Sequence, residues 1–139
     1  MNYIFEAFYV GLYSVALYVL LEKLLILFNK TNISIYFLLF FVGFIKHFFG
    51  YLLNIHTLYC NYVCNKKVGQ VFISSYSDYL WLESIIEGIL YLFIGAILMR
   101  FISNKMLLFF MIGVVLHIIF EMLGLHKLFC NIRCIRIVE

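Results

Sequence analysis

The chain has 139 residues, of which 66% are hydrophobic and 12% charged, with no proline and a net charge of +3. So little charge cannot cover the surface of a soluble domain, and the mean hydropathy of +1.08 fits a chain whose correct exterior is apolar. The small, scattered positive charge excludes nucleic acid as a partner.

Taken in chain order, the first apolar stretch covers about 4–28, longer than the roughly 20 residues a helix needs to cross the hydrocarbon. Glu6 stands where a cleaved leader would carry basic residues, and no small-residue cleavage site follows, so this stretch is expected to be a span. A polar turn, "NKTN", leads to a second span over about 33–59. The connection at 61–78 carries the Lys, Gly, Ser and Asp of a solvated loop. A third span is expected over about 79–101 and a fourth over about 106–129, joined by "SNK". The expected fold is therefore an all-α integral membrane bundle of four helices.

An even number of spans puts both termini and the 61–78 loop on one side. Five basic residues lie there (Lys66, Lys67, Lys127, Arg133, Arg136) against four on the other (Lys23, Lys30, Arg100, Lys105). That difference leaves a mild preference for a cytoplasmic loop and termini. Aromatic residues near the same interface, Tyr59, Tyr62, Tyr76, Tyr79 and Trp81, suit anchoring there.

The stretch "IHTLYCNYVC" at 55–64 has a counterpart, "LHKLFCNIRC", at 125–134. His56, Cys60, Asn61 and Cys64 fall on His126, Cys130, Asn131 and Cys134 at an offset of 70, and Gly43, His47 and Leu53 fall on Gly113, His117 and Leu123. At an offset of 77, Glu6, Ala7 and Gly11 fall on Glu83, Ser84 and Gly88. The reading is a duplicated two-helix unit, 1–69 and 70–139, whose two copies form a pseudo-twofold bundle with its axis along the membrane normal. Ala7 with Gly11 and Ser84 with Gly88 place small residues on one face, where helices approach closely in lipid.

The ionisable residues inside the spans are expected to face the bundle interior and pair. His47 and His117 fall near mid-depth, with Glu6, Glu83, His56 and His126 nearer the surface that holds the cysteines, and Glu87 and Glu121 deeper. Glu6 and Glu83 share a depth with histidines of the two copies, and His117 can touch Glu121 four residues on. On one continuous helix, His47 and His56 would point to opposite sides, nine residues apart. That speaks against a pair of haems held by these histidines.

Three chemistries suit Cys60, Cys64, Cys130 and Cys134 with His56 and His126. Disulfides between copies would staple the second and fourth helices, because residues four apart on one helix are too distant to bond. A zinc layer would use some of the thiolates and imidazoles. A thiol–disulfide relay would exchange electrons with a lipid-soluble carrier such as a quinone. No cofactor is required, zinc and quinone being the two these residues admit. No phosphate loop, nucleotide fingerprint or hydrolytic triad is present in the sequence, so an enzyme is the lesser expectation. A structural or assembly component is expected, as of a viral or organellar membrane. Its partners are then the bilayer, other membrane or capsid proteins, or a second copy.

Overall fold

The computed structural model describes residues 3–30, 32–64, 70–72 and 77–136; for 59, 62–63, 70–72, 77–78 and 133–136 it describes the backbone alone. Four helices are long and apolar enough to cross a membrane: α1 (Tyr3–Leu27), α2 (Ile35–Leu52), α4 (Ser77–Leu98, apolar from Tyr79) and α5 (Lys105–Met122). Two shorter helices, α3 (Ile55–Cys64) and α6 (Leu125–Arg133), follow α2 and α5. A three-residue ribbon pairs β1 (Gln70–Phe72) antiparallel with β2 (Cys134–Arg136). The stretch read as a solvated loop thus contains a strand that ties it to the segment following α6.

The helix ends follow local chemistry. The Ser34 side chain accepts from the Tyr36 amide at 3.3 Å, and Asn104 accepts from Leu107 at 3.1 Å, capping α2 and α5 at their starts. α2 stops at Leu52 because Asn54 turns into the left-handed region (φ 57°), and α5 stops at Met122 before Gly124 (φ 68°). Asn and Gly are the residues that adopt this conformation most readily. The carbonyl oxygens of these two residues then accept from Leu58 and Leu128, opening the short helices.

These breaks correct the expected spans. The second and fourth helices do not run on through 59 and 129. His56, Cys60 and Cys64 stand on a separate foot beyond the span, as do His126 and Cys130. Asn54 and Gly124 are poor helix formers, but so are Gly43, Gly50 and Gly113 inside the same runs, so composition alone does not mark the breaks.

Helix α1 packs chiefly on α5, and α2 chiefly on α4. Close approach needs glycine. A Cβ on Gly43 would lie 2.8 Å from the Glu87 carbonyl oxygen and 2.7 Å from the Tyr91 ring; one on Gly113 would lie 3.0 Å from both the Val10 carbonyl oxygen and Gly11 Cα. Ala7, Gly11, Ser84 and Gly88 are buried, as the small-residue spacing predicts. The centre is filled by Leu39, Val42, Tyr91, Phe109 and Ile112, with the Tyr18 and Phe109 rings stacked at 4.4 Å. Outward-facing Phe5, Tyr9, Leu20, Ile89 and Phe93 are exposed, the surface that hydrocarbon would cover.

Candidate functional site

Two polar clusters and a disulfide lie toward the end of the bundle that holds the feet. The first cluster is built between α2 and α4. Glu83 and Glu87, one turn apart on α4, both face His47: Nδ1 lies 2.9 Å from Glu87 Oε2, and Nε2 lies 3.2 Å from Glu83 Oε2. The other Glu87 oxygen accepts from the Lys46 ammonium, which sits over the Tyr91 ring, 5.6 Å from its centroid. The Tyr91 hydroxyl in turn is 2.5 Å from Ser14 Oγ, which donates to the Val10 carbonyl. Burying a lysine among aromatic rings is tolerable here because a carboxylate is bonded to it and a π face covers it.

The foot α3 folds His56 back over Gly50, where an added Cβ would come within 2.9 Å of Nε2. The His47 and His56 rings are 4.7 Å apart, with Phe129 edge-on to both. The opposite placement expected of these two histidines is therefore overturned, because the turn at Asn54 ends α2 and sets His56 on a separate helix. Burial pushes the His56 imidazole down to about 4; His47 and Lys46 act in the same direction, against Glu87 and Glu83. Its Nδ1 is buried without a hydrogen-bond partner among the described residues, a further cost of charging it.

This depression sets the sign of a pH effect. The folded state resists protonation that the unfolded chain accepts near 6.5, so stability is whole above that value and falls as pH drops toward 4. The expected loss through His56 is on the order of 3 kcal/mol. Unfolding midpoints measured in detergent between pH 7 and 4 should fall, and His56→Gln should flatten that fall. An identical slope in the variant would remove His56 as the cause.

The second cluster lies between α1, α5 and α6. His117 Nε2 stands 3.4 Å from Glu6 Oε2, within ion-pair reach but outside hydrogen-bond geometry. Its ring lies 4.9 Å from that of His126, whose Nδ1 is bonded to Glu121 Oε1 at 2.7 Å. Glu121 thus bonds the foot histidine, His126. Phe120 packs edge-on to His126.

Between the feet, Cys60 and Cys130 form a disulfide across 70 residues of sequence, and both are fully buried. Cys64 is also disulfide-bonded and buried. The Cys134 side chain lies outside the described residues. Three of the four sulfurs named for a zinc layer are thus disulfide sulfurs.

Sequence reasoning missed Lys46, Tyr91 and Ser14. Lys46 was findable, being a lone ammonium inside an apolar span. Tyr91 continues the stripe Glu83, Glu87 one turn further, which a helical periodicity reveals. Ser14 offers no signal beyond its place on the Ala7 and Gly11 face. No family model, curated protein or solved structure matches this chain.

Proposed function

We propose that this protein is a structural component of a membrane, a small rigid multi-pass body that shapes or joins an assembly. The observation that carries this reading is the fully buried Cys60–Cys130 disulfide joining the two feet. A thiol relay needs a cysteine that an external partner can reach, and these two sulfurs are enclosed. The charged groups point the same way: Lys46, His47, Glu83 and Glu87 bond one another, which fixes helix register. What remains for partners is the apolar exterior, suited to lipid, to other membrane or capsid proteins, or to a second copy.

We further infer that the two halves are copies of one unit, a spanning hairpin with a foot, related by an axis along the membrane normal. Several pairings support it. Gly11 meets Phe110 while Gly88 meets Phe40, and Gly43 meets Tyr91 while Gly113 meets Ser14. Glu83 reaches His47 while Glu6 reaches His117. Each partner is 70 or 77 residues from its counterpart. Both termini then share the side of the feet. The disulfide favours an oxidising compartment for that side, against the mild cytoplasmic preference of the loop charges.

The test is a thiol count on detergent-purified protein, denatured under alkylating conditions and weighed intact with and without reductant. The structural reading expects no cysteine to be alkylated without reductant, and no change after the native protein is incubated with a quinone or a small dithiol. Rapid exchange of the native disulfide with either reagent would replace this reading with the relay.

A further inference from the structure

We propose that His117, Glu121 and His126 form a binding site for a divalent transition-metal ion of the zinc class. One ligand atom from each of the three lies within 4.8 Å of the others. Donors bound to one zinc at about 2.0–2.1 Å stand roughly 3.3 Å apart at a tetrahedral angle, so small side-chain adjustments close the set. The 2.7 Å contact between His126 Nδ1 and Glu121 Oε1 shows how near two of the donors already are.

A second observation points to a ligand. His117 is 8% exposed, and its Nε2 is buried without a hydrogen bond among the described residues. A buried imidazole nitrogen left in that state costs free energy that a cation would repay. Two imidazoles with one carboxylate select zinc, cobalt, nickel or iron(II) over calcium and magnesium, which want oxygen throughout. Glu6, 3.4 Å from His117 Nε2, supplies either a fourth ligand or the carboxylate that orients the ring.

The backbone builds this site. The left-handed turn at Gly124 folds α6 back so that His126 returns to the last turn of α5, where Glu121 stands one turn beyond His117. The other cluster is differently equipped. There, Lys46 provides a fixed cation beside Glu87, whereas the residue seventy positions later is the apolar Leu116; conversely Tyr51 stands where the second half has Glu121. One cluster carries its positive charge as an ammonium, and the other carries donors that take a metal.

The experiment uses tag-free protein in detergent, stripped with chelator and alkylated in the native state, then titrated with cobalt(II). The expected result is a single bound cobalt per chain with the visible absorption of nitrogen and oxygen ligation and no thiolate charge-transfer band, displaced by zinc. Glu121→Gln and His126→Gln should each weaken binding by at least the ~10–100-fold that even outer-shell losses cost. His56→Gln, in the other cluster, should bind as the parent does. Far-UV circular dichroism and gel filtration check each variant, and if one fails to fold the other carries the comparison. A parent protein without the cobalt bands would overturn the proposal, as would undiminished binding in both variants or an equal loss in His56→Gln.

Discussion

Glu87→Leu is expected to lower the stability of the bundle by about 3–5 kcal/mol, the cost of stripping one partner from a buried ion pair. Lys46, deep between α2 and α4, would then face Tyr91 and His47 without its carboxylate. His47 would keep Glu83 but lose its Nδ1 partner. Adding Lys46→Met to the same chain should recover more than half of the loss, because a buried pair replaced by apolar groups is often close to neutral. The measurement is unfolding in mixed micelles by detergent titration, followed by circular dichroism on the parent, both single variants and the double. A coupling between Lys46→Met and Glu87→Leu indistinguishable from zero would mean the pair contributes nothing beyond its separate residues.

The disulfide carries the second large effect. Replacing both partners, Cys60→Ala with Cys130→Ala, should cost about 2–4 kcal/mol, the typical worth of a link that closes a long loop. The link spans 70 residues, which favours the upper part of that range, while helices retained in the unfolded micellar state shorten the effective loop and favour the lower. Alanine suits the fully buried site without leaving a polar group unpaired. Comparing the double variant with reduced parent protein separates the covalent term from the loss of packing. A midpoint equal to that of the oxidised parent would show the staple to be dispensable.

Much of this was legible in the residues because the bilayer simplifies the code. Four long apolar runs leave helices as the only economical way to satisfy the backbone, and α1, α2, α4 and α5 lie where those runs do. That Glu83, Glu87 and His47 pair inside the bundle was legible from their cost in hydrocarbon. The sequence reading puts Glu83 nearer the cysteine-bearing surface than His47 and Glu87 deeper, whereas both carboxylates meet that one imidazole. The feet were not legible, since an unbroken apolar run looks like one helix. The left-handed residues Asn54 and Gly124 end α2 and α5 before the feet, and no periodicity marks them. Continuing the helix through Asn54 puts His56 opposite His47, whereas on its separate helix it lies beside it. The disulfide partner was foreseeable, as a one-turn spacing forbids a local bond and leaves only the other half of the chain. Lys46 carries the clearest signal of all, a lone ammonium whose cost in hydrocarbon demands a buried carboxylate.

The bond between Cys60 and Cys130 has a topological consequence. Residues 60–130 become a closed covalent ring that contains α4 and α5, and α1, α2 and the first half of α3 form a branch attached to it at one point. That branch packs α1 on α5 and α2 on α4, so the ring is clasped along its length by a segment that leaves it only at the feet. In a bilayer, separation of the hairpins is a lateral drift. The bond turns that drift into a hinged opening whose far end, at the two short turns, is free while the near end stays shut.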